Sequence, residues 1–179
     1  MKKQTPKKPA KPAVMTDQQI AARNDAALAR VEMMTDPDGL RNLMANAARM
    51  GVPPVIEAAF RRLALVQSEG EGDVGSVENA TWQMIHAVEQ IKREAAGKAI
   101  RLSYLRREIQ KIGAAPAISK LVSKPGPSDR FDELMGRALP AYTAEAIVMA
   151  HPQDFDDATR TAAAARLEGA GVDPATLAP

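Results

Sequence analysis

Apolar positions recur every three or four residues along most of the chain, the period of helices that bury one side. Ile20, Ala27, Leu28, Val31 and Met34 predict a first helix, and Thr16-Asp-Gln-Gln19 in front of them is a capping box. Thr35-Asp-Pro-Asp-Gly39 stops it, with Asp36 as the next cap and Pro37 in the first turn of a second helix. Leu40, Leu43, Met44 and Ala47 mark that helix's buried stripe, and Ile56, Ala59, Phe60 and Leu63 mark a third after Pro53 and Pro54. The Gly51-Val-Pro-Pro54 turn between them predicts an αα-hairpin.

Beyond the Gly-rich acidic stretch Ser68–Ser76, Ser76 should cap a helix over 77–96. Val77, Thr81, Met84, Val88, Ile91 and Ala95 form a heptad-like seam on it. Trp82, beside Ile85 and Glu89, reads as a second core contact in preference to an exposed partner anchor, and His86 as a surface histidine near Gln90 and Arg93. After Gly97, Leu102, Leu105, Ile109 and Ile112 predict a helix whose remaining circumference displays Ser103, Tyr104, Arg106, Arg107, Gln110 and Lys111. A short helix over 117–124 follows Gly113 and Pro116. Ser128 and Thr143 should cap two more, and Asp154 or Asp156 a last Ala-rich helix ending near Gly169. No strand pattern occurs.

The expectation is an all-α fold, a compact multi-helix bundle of about seven or eight short helices with a disordered basic N-terminal tail. The divisions are a Lys/Pro-rich tail (1–15), N-terminal helices (16–68), an acidic linker (69–76), a C-terminal helical region (77–171) and a frayed end (172–179). With aromatics at 3%, Leu, Ile, Val, Met and Ala must build the core. The absence of cysteine excludes disulfides, thiolate metal sites and cysteine catalysis, and fits a cytoplasmic setting. No apolar run approaches the ~20 residues of a membrane span, and the basic N-terminus lacks the apolar region of a secretory signal.

Charge changes the picture. The net charge of +2 conceals strong segregation. Residues 92–124 carry nine bases against two acids, and the tail adds Lys2, Lys3, Lys7, Lys8 and Lys11. Residues 16–91 and 125–179 are each net acidic by five. The central block (Lys92, Arg93, Lys98, Arg101, Arg106, Arg107, Lys111, Lys120 and Lys124) suits a polyanion. On the helix after Gly97, Arg and Lys can neutralise phosphates, Arg106, Arg107 and Gln110 can read base edges, and Ser103 and Tyr104 can donate to phosphate. The helix–Gly113–helix unit departs from a helix-turn-helix, where a small residue would stand in place of Ile109, and from a helix-hairpin-helix, whose second glycine is missing.

Catalytic chemistry is not expected. The two histidines lie in separate elements, and no zinc-ligand cluster, phosphate-cradling loop, dinucleotide glycine motif or nucleophile elbow occurs. Asp154, Asp156 and Asp157 are better explained as favourable charge at a helix N-terminus than as a metal site. No cofactor is implied. The leading expectation is a non-enzymatic, bacterial-type DNA-binding regulator or accessory protein, with duplex favoured because few aromatics are available to stack on single-stranded bases. Six to ten phosphate contacts would lower affinity about 10³- to 10⁵-fold between 50 and 200 mM salt. The alternative is a helical protein–protein adaptor or homo-oligomer whose basic block meets an acidic partner, or its own acidic flanks.

Overall fold

Helix 77–96 carries an apolar seam along its length, so that side must be covered by other elements. The computed structural model, which describes residues 15–177, has this helix at the centre of the chain. Among the described residues there are nine α-helices and no strand: α1 (Asp17–Met33), α2 (Pro37–Arg49), α3 (Pro53–Gln67), α4 (Val77–Ala96), α5 (Ser103–Ile112), α6 (Ala114–Val122), α7 (Asp129–Gly136), α8 (Ala144–Ala150) and α9 (Asp157–Gly169). The fold is the expected all-α bundle, with more helices than the seven or eight expected.

The predicted caps form. Thr16 and Gln19 complete the capping box of α1, and Asp36 accepts from the Asp38 and Gly39 N–H groups. Ser76, Ser128, Thr143 and Asp156 each accept from the N–H three residues on, which settles the cap of α9 in favour of Asp156. Gly97 ends α4 in the left-handed conformation (φ 67°) that glycine adopts without a Cβ penalty.

The α2–α3 hairpin supports α4 from one side, and α6, α7 and α8 cover it from the others. One apolar core runs from Val31 and Leu40 through Phe60, Leu63, Met84 and Ile85 to Ile118, Leu134, Val148 and Ala163. The elements before and after the Ser68–Ser76 loop therefore share a core. Asn79 holds that loop, donating its amide to the carbonyls of Ser68 (3.1 Å) and Glu71 (3.4 Å). A smaller cluster of Ala47, Val52 and Val55 seats Ala27 and Leu28 of α1 on the hairpin.

Several expectations are corrected. The heptad-like seam on α4 is not one-sided: Trp82, Ile85 and His86 are buried along with Val77, Thr81, Met84 and Val88, because helices flank α4 on several sides, while Ala95 is exposed beyond them. His86 is 8% exposed, not a surface residue. Ile112 is 39% exposed at the end of α5, outside its core stripe. α6 begins at Ala114 rather than 117; Pro116 fits its first turn, where a missing N–H leaves no helical bond unmade. The expected frayed end at 172 is instead an ordered turn through Leu177, with Pro174 buried and the segment packed on α8 and α9. The basic tail lies outside the described residues, apart from Met15.

Candidate functional site

The α4–α5 junction is organised by one carboxylate. Glu89 accepts from the Leu102 backbone N–H (2.7 Å) and, through both oxygens, from Arg106 Nε and Nη2 (2.8 Å each). It therefore ties both the connection after Gly97 and α5 itself to α4. Burial pushes the Glu89 carboxyl up, but the hydrogen bonds from Arg106 and Leu102 and the Arg106 charge outweigh it and hold the group below its ordinary 4.5. The Arg106 guanidinium also lies over the Trp82 ring, 4.9 Å from its centroid, a cation–π contact.

His86 stands beside this pair. Its Nδ1 is 3.4 Å from Arg106 Nη2, and an arginine nitrogen can only donate, so Nδ1 accepts and the ring proton sits on Nε2. Burial foremost, then the Arg106 charge, lowers the His86 pKa from 6.5 to about 4 against the opposing pull of Glu89, so the ring is neutral at pH 7.

Arg106, expected on the outward face of α5, is thus turned inward, its side chain 13% exposed. The helical wheel gives the reason: at 100° per residue, Arg106 lies about 60° from Ile109, on the margin of the buried arc. A long apolar stem can cross that margin and bury its charge if a carboxylate waits there. Lys92 pairs with Glu133 of α7 (2.6 Å) and Lys120 with Glu108 (2.6 Å). Three of the nine bases of the central block are therefore matched internally.

The other six make no ion pair among the described residues: Arg93, Lys98, Arg101, Arg107, Lys111 and Lys124. All six are exposed. On α5, Leu105 and Ile109 face the core, and Ser103, Tyr104, Arg107, Gln110 and Lys111 are all exposed. Their spacings (103, 107, 110 and 104, 107, 111) place them in one stripe. Tyr104 is 67% exposed, and Arg107 is steadied by donating Nε to the Ser103 carbonyl (3.2 Å). Lys2, Lys3, Lys7, Lys8 and Lys11 lie outside the described residues.

The structure also assembles residues that the sequence pattern does not connect. Arg41 of α2 reaches α4, donating Nε to Gln90 Oε1 (3.3 Å) across a separation of 49 residues. With His86, Arg93, Arg101 and Arg106, it lines a polar cleft of about 360 Å³ at the α4–α5 junction. No local signal links Arg41 to this site; the helical spacing that sets His86 near Gln90 and Arg93 is the part of it legible in the sequence.

No helix among the described residues is long and apolar enough to cross a membrane. No family model, curated protein or solved structure matches this chain, so any functional reading must rest on its own geometry.

Proposed function

We propose that the protein is a non-enzymatic nucleic-acid-binding factor, with duplex DNA as the favoured partner. In this reading the outer stripe of α5 lies against the phosphate backbone. The observation that carries it is the composition of the exposed stripe: two cations with no ion pair among the described residues, an amide and two hydroxyls on one helix face, bordered by one acid, Glu108, which Lys120 pairs. A solvated face usually mixes signs, whereas this one carries donors suited to phosphate and base edges. Arg101, just before α5, extends the same sign.

The interface is smaller than charge counting suggested. Lys92, Arg106 and Lys120 have partners within the fold, so they support α5 or its surroundings rather than contacting phosphate. Arg101, Arg107 and Lys111 remain at α5. Three phosphate contacts give a salt slope of about −2.7, or about 40-fold weaker binding between 50 and 200 mM salt, with any tail lysines adding to it.

The test is fluorescence anisotropy of a labelled random-sequence duplex with the full chain at 50 mM salt. Arg107→Gln/Lys111→Gln should bind at least about tenfold more weakly than wild type while keeping its far-UV circular dichroism. Failure of wild type to bind, or equal binding by the variant, would overturn the reading and favour an acidic protein partner.

A further inference from the structure

The cleft at the α4–α5 junction has a charge balance unlike that of an ordinary surface groove. Four arginines line it, Arg41, Arg93, Arg101 and Arg106, against the single carboxylate of Glu89. Arg106 is committed to that carboxylate. Arg41 is partly committed, to Gln90 through Nε and to Asp38 through Nη1 (2.8 Å), and Asp38 is itself 83% exposed at its side chain. Arg93 and Arg101 have neither a hydrogen bond nor an ion pair from their side chains to any described residue. They come from different elements, the last turn of α4 and the connection before α5, yet border one cavity.

His86 adds a second observation. It lines the same cleft, is 8% exposed, and its Nε2 is buried without a hydrogen-bond partner. Since Nδ1 accepts from Arg106, that Nε2 carries a proton with nothing to receive it. A buried unpaired donor costs about 1–3 kcal/mol, and with Nδ1 turned to Arg106 the ring offers the cleft no negative charge.

We propose that this cleft binds a phosphomonoester, its terminal phosphate held by Arg93 and Arg101 with Arg41 as the third cation. The class follows from charge and shape. Four arginines against Glu89 and against Asp38, the partner of Arg41, leave a local excess of two positive charges, which suits the near-dianionic monoester better than a monoanionic carboxylate or a phosphodiester. Planar guanidinium groups engage phosphate oxygens two at a time. A volume of about 360 Å³ lies within the range of small-molecule sites. The phosphate could belong to a free small molecule or to the 5′ end of a nucleic acid. Arg101 borders both this cleft and the proposed duplex interface, but Arg107 and Lys111 of the α5 stripe do not line the cleft, so their loss separates the two readings.

The test uses the full chain at pH 7 and 50 mM salt, in buffer free of phosphate. Adenosine 5′-monophosphate is compared with adenosine by isothermal titration calorimetry, and a 5′-phosphorylated single-stranded oligonucleotide with its unphosphorylated form by anisotropy. In at least one pair the phosphorylated member should bind at least tenfold more tightly. That preference should disappear in Arg93→Gln/Arg101→Gln and persist in Arg107→Gln/Lys111→Gln. Since Arg93 and Arg101 hold no side-chain bond to any described residue, the first variant should stay folded, which circular dichroism checks. The adenosine pair alone identifies a small ligand, and the oligonucleotide pair alone identifies a nucleic-acid end. No preference for phosphate in either pair overturns the proposal, as does a preference that survives loss of Arg93 and Arg101. If the stripe variant loses duplex binding while the phosphate preference stays intact, the two sites are separate.

Discussion

Replacing Glu89 by Gln should loosen α5 more than any other conservative change at the junction. The substitution keeps the size and one acceptor oxygen but removes the charge and the second acceptor. Glu89 now holds three donors at 2.7–2.8 Å: the Leu102 N–H and two nitrogens of Arg106. In the variant, Arg106 keeps its charge at a site where its side chain is 13% exposed and has no second carboxylate as a partner. A hydrogen bond to a charged group contributes roughly 1.5–3 kcal/mol, and stranding a buried charge costs roughly 3–5 kcal/mol, reduced here because Arg106 can swing partly into water. The expected loss is about 3 kcal/mol, which for a domain of this size lowers Tm by about 6–12 °C. Thermal unfolding at pH 7 followed at 222 nm measures it. Trp82, the only tryptophan, lies under the Arg106 guanidinium and gives a local readout: its emission should shift to the red as α5 loosens. A cycle with Arg106→Met should return a coupling of at least about 1.5 kcal/mol. A fall in Tm below about 2 °C, or additive effects in the cycle, would refute the assignment of Glu89 as the clamp.

Two further outcomes follow from buried groups. Because the His86 pKa falls from 6.5 to about 4 on folding, the unfolded chain takes up that proton first; stability is full above 6.5 and declines toward 4, by roughly 3 kcal/mol over the window. The charged groups acting on the ring are Arg106, Glu89, Arg101 and Arg41, and Glu89 contributes stability that is lost only as pH falls below 4.5 toward its lower folded value. His86→Gln should therefore flatten the urea-derived stability profile between pH 6.5 and 4, and parallel profiles for variant and wild type would contradict the neutral ring. On the far side of the core, Arg166 donates to Glu145 Oε1 at 2.9 Å, and Glu145 is 2% exposed. Arg166→Leu should cost about 3–5 kcal/mol by stranding that carboxylate, with much of the loss recovered when Glu145→Leu is added; a melting temperature unchanged by Arg166→Leu would exclude this.

Local chemistry made the helices legible. A Thr, Asp or Ser followed by helical periodicity located the starts of α1, α2, α4, α7, α8 and α9, because capping is decided within four residues. What stayed hidden depends on neighbours distant in sequence. The polar look of His86 suggested solvent, yet α4 is surrounded and a neutral imidazole can be buried. Arg106 and Arg107 are adjacent arginines; the helical wheel puts Arg106 nearer the buried arc, but what draws it inward is Glu89, 17 residues earlier, while Arg107 faces outward. The cleft needs Arg41 beside Gln90, a pairing that periodicity within one helix cannot reveal. The stripe on α5 was readable for the opposite reason: it is defined by what one short helix leaves unburied.

The most direct test of the proposed nucleic-acid interface is the salt dependence of duplex binding by the full chain, wild type against Arg107→Gln/Lys111→Gln, between 50 and 200 mM. Two lost phosphate contacts should reduce the slope of log affinity against log salt by about 1.8. An unchanged slope would mean that the outer face of α5 is solvated and does not touch the phosphate backbone.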